Sequence, residues 1–238
     1  MSICRSKLFL FYRGDTERNA AMNLELDHVF IWVDKGGLEA DVLVDAGFTE
    51  GEGNVHPGQG TANRRFFFDN LMLELIWVEN RDDTLTPPIR PAYFWERWQA
   101  RGETSSPFGL VFRSPFNSVP FAATDFSPPY LPEYMSFKIG ANAGTLGEPL
   151  VFVMPSCLTQ GNQAISPDMP EGFNTVTGLR VYLPAPVKKA SPLDVINRLD
   201  GLDIHGSGRG HFMEIEFCGR AMGKTLDFRP GLPLRFFY

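Results

Sequence analysis

Apolar and polar residues alternate, or run together, over short stretches, and turn chemistry closes most of them. Leu24 to Val33 (LELDHVFIWV) is rich in β-branched and aromatic residues, and Asp34-Lys35-Gly36-Gly37 closes it, which predicts a buried strand. Leu38, Val42, Leu43 and Ala46 share one helical face ahead of Gly47, predicting a short amphipathic helix. Residues 51–63 are glycine-rich and read as a loop. Strands are then expected over Arg64–Phe68 and Leu71–Val78, with Asp69-Asn70 as the turn between them. This first unit, residues 24–80, reads β-α-loop-β-β.

A charged, proline-containing connection leads to a short helix over Tyr93–Ala100. A second unit, about residues 105–155, shows strands at Phe108–Arg113, Met135–Ile139 and Pro149–Met154, with a proline-rich crossing through Pro128, Pro129 and Pro132. A polar loop covers Ser156 to Gly172. A third unit, about 174–238, reads as a strand over Val176–Leu183 and a helix over Ser191–Leu199 with Ser191 as N-cap and Pro192 at N1. Strands at Phe212–Cys218, Thr225–Phe228 and Leu234–Tyr238 follow. Residues 1–22 lack periodicity and read as a loosely attached tail. Met22 lies just before the first strong strand, so a start there is also expected. The body is then residues 23–238, an α+β protein of recurring β-rich units.

Composition agrees: 23 Gly and 19 Pro leave little room for long helices, and 21 Phe suit a pleated, half-buried environment. A formal charge of −6 argues against nucleic acid or an anionic membrane as partner. No stretch approaches the roughly 18 apolar residues of a membrane span. Cys4, Cys157 and Cys218 lie far apart with no C-x-x-C spacing, so a reducing, cytoplasmic setting is expected, with neither zinc knuckle nor disulfide framework. The expected partner is a small molecule, and the expected state a monomer or homodimer. No G-x-S-x-G elbow, Walker loop or dinucleotide fingerprint occurs.

The first unit, with Leu26-Asp27-His28 in its first strand and Leu73-Glu74-Leu75 in its last, resembles the vicinal oxygen chelate superfamily (the glyoxalase, bleomycin resistance and extradiol dioxygenase superfamily), and within it the glyoxalase-like domain proteins. Most distinctive is His56-Pro57-Gly58-Gln59-Gly60-Thr61-Ala62-Asn63-Arg64-Arg65-Phe66-Phe67-Phe68, which is similar to a glycine-rich loop entering a strand in such proteins. Trp95-Glu96-Arg97-Trp98, Ser106-Pro107-Phe108-Gly109, Glu148-Pro149-Leu150 and Asp227-Phe228-Arg229-Pro230 are similar to features of a bacterial branch. The resemblance implies paired βαβββ modules whose curved mixed sheets enclose a cleft. In metal-using members it implies a divalent ion held by the first and last strands of each module, with His28 and Glu74 at those positions here.

Imidazole and carboxylate suit Zn, Ni, Fe or Mn, but two ligands fall short of a complete site. A Glu flanked by Leu73 and Leu75 must face solvent or a polar cavity. Glu214, in Met213-Glu214-Ile215, is the best counterpart of Glu74 and is expected as a further ligand or general base, although Glu216 shares its face. His56 is a candidate third nitrogen or proton relay. Gln59, Asn63, Arg64 and Arg65 are candidate substrate contacts, since an amide both donates and accepts and an Arg binds a carboxylate in a fork. In a regular strand only one of the two adjacent arginines faces inward. The expected activity is a metal-dependent lyase or isomerase acting on a small oxygen-rich molecule. The alternatives are a metal-free binding or resistance protein and a ring-cleaving dioxygenase. Which later unit completes the cleft stays open at this point.

Overall fold

The computed structural model describes residues 9–10, 24–114, 119–156, 170–206, 208 and 210–238. Most of the expected N-terminal tail and of the 156–172 loop therefore lies outside the described residues. Among the described residues the strands form two sheets, one of nine strands and one of five.

The nine-stranded sheet is built from the first two units laid edge to edge. Unit one supplies β2 (Leu24–Trp32), helix α1 (Asp41–Asp45), β3 (Glu50–His56), β4 (Thr61–Phe67) and β5 (Met72–Val78). Unit two supplies β6 (Phe108–Ser114), β7 (Ala123–Phe126), β8 (Phe137–Gly140) and β9 (Leu150–Pro155). The order β3-β4-β5-β2-β6-β9-β8-β7 repeats one arrangement on either side of an antiparallel β2/β6 seam. In each half the first strand lies parallel to the last, and the two middle strands continue outward in antiparallel steps. Paired modules are thus present, although among the described residues no helix follows β6 as α1 follows β2. A two-residue strand, β1 (Phe9–Leu10), pairs with the start of β2.

The sequence reading missed three of these strands, the two-residue β1 among them. β3 runs through the glycine-rich stretch: it is an edge strand, its ladder comes from backbone pairing to β4, and its side chains are largely exposed, so no apolar pattern marks it. A side chain at position 53 would meet the Asn63 carbonyl at 2.7 Å, which explains the glycine there. β7 lies in the proline-rich crossing.

The connection between the units holds helices α2 (Arg81–Thr84) and α3 (Phe94–Gln99). Arg97, on α3, is fully buried and donates to the carbonyls of Ala143 and Glu148, at 2.8 Å each, tying the turn before β9 to this helix. Burial pushes its guanidinium down to about 10, with the nearby Glu148 charge opposing the shift.

Unit three forms the second sheet: β10 (Val176–Leu183), helix α4 (Pro192–Ile196), β11 (Leu202–Gly206), β12 (Phe212–Phe217), β13 (Thr225–Asp227) and β14 (Leu234–Phe237), in the order β11-β10-β12-β14-β13. This is not a third copy of the module. β10 pairs in parallel with the strand directly after its helix, whereas β2 pairs with the last strand of its unit. Ser191 does cap α4, accepting from the Asp194 amide at 3.3 Å.

Two apolar layers result. The larger core joins one face of the first sheet (Val29, Ile31, Leu73, Leu75, Leu110, Val151) to the second sheet (Leu179, Val181, Met213, Ile215, Phe236). The opposite face of the first sheet carries a smaller cluster including Phe30, Trp32, Ile76, Phe94, Phe126 and Phe152. On that face the strands leave a cavity.

Candidate functional site

The cavity has a volume of about 340 Å³ and is bordered by both modules. Strand alternation decides what enters it. On β5, Met72, Glu74 and Ile76 face the cavity while Leu73 and Leu75 face the larger core. On β4, Asn63 and Arg65 face in, and Arg64 points to the other side.

Arg64 is therefore corrected from substrate contact to structural tie. Its guanidinium meets Glu50 at 2.5 Å and Asp41 at 2.7 Å and donates to the Gly37 carbonyl at 3.0 Å, linking β4 to β3 and α1. The Glu50 hydrogen bond leads the causes that raise its pKa, against a smaller effect of burial.

On β2 the alternation breaks. Leu26 and Val29 both point into the larger core although three residues apart, and the register with β6 shifts between Leu26 and His28. This is a β-bulge, which re-aims side chains. It lets the consecutive residues Asp27 and His28 meet, His28 Nδ1 lying 2.6 Å from Asp27 Oδ2, while the other Asp27 oxygen pairs with Arg113 of β6. Burial alone would raise the Asp27 carboxyl, but the His28 hydrogen bond, together with the charges of His28 and Arg113, outweighs it and holds the pKa below the usual value. With Nδ1 engaged by Asp27, His28 Nε2 is directed toward Glu74, 3.7 Å from Oε2. The remaining Glu74 oxygen accepts from the Asn63 amide, whose own oxygen accepts from the Asn54 backbone at 2.7 Å.

His56 and Gln59 stand at the β3–β4 turn. Both hydrogen-bond to Thr61 Oγ1 at 2.8 Å. Burial, ahead of the opposing charge of Glu74, lowers the His56 pKa, so this imidazole is neutral at pH 7. Tyr130, from the β7–β8 connection of the second module, lies with its ring 5.4 Å from the His56 ring. Burial, with the Glu74 charge second, raises its hydroxyl pKa.

The second module otherwise lines the cavity with apolar groups: Val111, Phe126, Leu131, Phe137, Phe152 and Met154, joined by Phe94 of α3. It is this unit, near 107–154, that completes the cleft. The third unit stands behind the sheet, so Glu214 lies away from the cavity. Glu214 accepts from Tyr182 Oη at 3.1 Å and pairs with Arg235 at 3.3 Å on the second sheet, and its place as a catalytic group of this site is withdrawn. Glu216 shares that face, paired with Arg180 at 3.4 Å and Arg220 at 2.6 Å.

Of the expected site residues, His28, His56, Gln59, Asn63, Arg65 and Glu74 converge on the cavity. Asp27, Asn54, Tyr130 and the aromatic wall were missed. Only Asp27 left a local trace: two polar residues in a row between Leu26 and Val29, where a regular strand would alternate.

Comparison with known proteins agrees with this layout. Residues 26–115 match the family described as Glyoxalase-like domain, a similarity consistent with the vicinal oxygen chelate superfamily. A hypothetical protein from Staphylococcus aureus has a structure with a TM-score of 0.51, is 11% identical, and covers 90% of this chain and 99% of its own, a likeness of fold. A hypothetical protein from Bacillus halodurans is 12% identical, covering 58% of this chain and 99% of its own, with a TM-score of 0.38. The comparison with curated proteins returned no match. Among the described residues no helix is long and apolar enough to cross a membrane.

Glyoxalase-like domains often hold a metal, and the donor set here allows a test. Structural and catalytic ions take three or four protein donors. Among the described residues no group of three or more His, Cys, Asp or Glu side chains is placed to hold one. His28 and Glu74 are two donors from one module. Across the seam, Val111 stands opposite His28, and the cavity-facing residues of β9 are Phe152 and Met154. The residues present do not fit a complete metal site.

Proposed function

We propose that this cavity is the binding site of a small molecule with a polar head and an apolar body, and that the protein takes this molecule without a resident metal ion. The observation that carries the reading is the division of the lining. Nearly every polar cavity group, His28, Asn54, His56, Gln59, Asn63, Arg65 and Glu74, comes from module one, while module two contributes apolar side chains and the Tyr130 hydroxyl. A ligand bound there buries its body against Phe126, Phe137 and Phe152 and meets its polar partners on β2, β4 and β5. The chemistry this head group would meet is proton transfer. His28, oriented by Asp27 as imidazoles are oriented in general acid–base sites, directs its free nitrogen at the space beside Glu74.

Elemental analysis of protein purified without chelator and without a nickel column tests the reading. Stoichiometric metal, lost in His28→Ala and Glu74→Ala, would overturn it. Ligand-induced thermal stabilisation that persists in EDTA supports it.

A second reading keeps the metal-dependent lyase or isomerase. It is favoured by the carboxylate–histidine arrangement of Asp27 and His28, which also orients metal-binding imidazoles. On that reading, added Zn, Ni, Fe or Mn binds with micromolar or better affinity and the Glu74→Gln variant loses it.

A further inference from the structure

We propose that the molecule taken by this cavity is a monocarboxylic acid with an aromatic or branched apolar body, its carboxylate received by Arg65. This rests on the reading of the cavity as a small-molecule site and names the ligand class.

Arg65 is only 9% exposed. Its Nε donates to the Glu52 carbonyl at 2.6 Å, and its guanidinium carbon lies 5.3 Å from the centre of the Phe67 ring. Those contacts fix the plane of the fork and leave both terminal nitrogens without a hydrogen-bond partner among the described residues, with the charges of Glu74 and Glu52 nearby. The other buried or half-buried arginines of the first sheet and its connecting helix differ: Arg64, Arg97 and Arg113 each spend the guanidinium on carboxylates or carbonyls. Arg65 lines the cavity, so its open donors are available there to an anion. A carboxylate fits the fork in a bidentate manner.

Glu74 stands directly across from Arg65 on the neighbouring strand, yet its inner oxygen is already engaged by Asn63. Its charge disfavours a dianion such as a phosphate monoester, and the apolar wall offers nothing to a second carboxylate. One carboxylate on Arg65, with an adjacent hydroxyl or acidic C–H toward His28 Nε2 and Glu74, satisfies the polar groups in one pose. At roughly 30 Å³ per water-sized group, 340 Å³ holds about eleven such groups, which accommodates a phenylpropanoate-sized acid.

The experiment is calorimetric titration at pH 7.5 of the native protein, Arg65→Gln and Arg64→Gln. The probes are 3-phenylpropanoate, 4-methylpentanoate, the primary amide of each, 3-phenylpropan-1-ol and phenyl phosphate. We expect the best acid to bind roughly 10- to 100-fold more tightly than its amide, as a charge-assisted pair requires. The preference should fall to within about twofold in Arg65→Gln and persist in Arg64→Gln, whose side chain faces away from the cavity. Acid and amide binding equally to the native protein would overturn the carboxylate assignment and leave the pocket reading standing. Phenyl phosphate binding more tightly than the acids would replace the assignment with a phosphate. If no member of either series binds, both readings fall.

Discussion

Gly109, on β6, stands across the module seam from Phe30 of β2. A Cβ built at Gly109 would lie 2.5 Å from Phe30 Cε2 and closer still to Cε1 and Cζ. Carbon atoms settle at about 3.5–4.0 Å, so Gly109→Ala forces the ring to move by about 1 Å or more. It has little freedom to do so. Phe30 is buried, its ring centre is 5.6 Å from that of Trp32 in an edge-on contact, and Trp32 is 5.6 Å from Phe94. Overpacking of this kind costs about 3 kcal/mol, at the upper end of its usual range. For a chain of this size that is a melting-point loss of about 6–12 °C. Phe30→Ala alone costs about 3–5 kcal/mol through the cavity it leaves. Once the ring is gone the alanine at 109 has room, and replacing a strand glycine gains about 0.5–1 kcal/mol. The double variant should therefore be no less stable than Phe30→Ala, with a coupling of about 3–4 kcal/mol. Urea denaturation of the four proteins measures it. A cost for Gly109→Ala below about 1 kcal/mol, or the same cost with and without the Phe30 ring, would refute the argument that this glycine exists to seat Phe30 at the seam.

Asp27→Asn removes a carboxyl whose folded pKa is depressed, so the native contribution is present above the ordinary carboxylate value and fades as pH falls through the lowered one. The stability gap between native protein and variant should shrink on acidification, and a gap independent of pH would count against the His28–Asp27–Arg113 link. Burial lowers the His56 pKa, so the unfolded chain takes up the proton more readily. Stability should decline as pH drops through about 6.5, a decline reduced in His56→Gln, and NMR titration of the imidazole should show a midpoint below 6.5. Arg97→Met leaves the carbonyls of Ala143 and Glu148 unpaired in the interior and should cost about 3–5 kcal/mol in chemical denaturation; a loss under about 1 kcal/mol would mean that the turn before β9 does not depend on this clamp.

Much of this was legible in the sequence wherever period and chemistry acted locally. The β2, β5, β10 and β12 strands announced themselves through β-branched and aromatic runs, and alternation correctly required Arg64 and Arg65 to part company. The same rule failed for Glu214. Leu73-Glu74-Leu75 and Met213-Glu214-Ile215 have equivalent local patterns, and only the packing of one sheet behind the other sends one carboxylate to the cavity and the other to a face shared with Tyr182 and Arg235. The aromatic wall was illegible for a related reason: Phe94, Phe126, Phe137 and Phe152 come from separate elements, and each alone reads as ordinary core. β3 was lost because an exposed edge strand is held by its backbone.

The seam between β2 and β6 has a consequence for how recognition can change. Because the polar lining of the cavity is encoded mainly between residues 28 and 74 and its apolar lining of the second module between 111 and 154, the two parts of the lining are almost separate stretches of one chain. A chimera that keeps the first half and exchanges the second would change the apolar wall while leaving the polar groups in place. Insertion of a second His or carboxylate at Val111 or Phe152 would bring the second half's donors to the same centre as the first. On the reading proposed above, the fold keeps a short mutational path open between binding a molecule and transforming it.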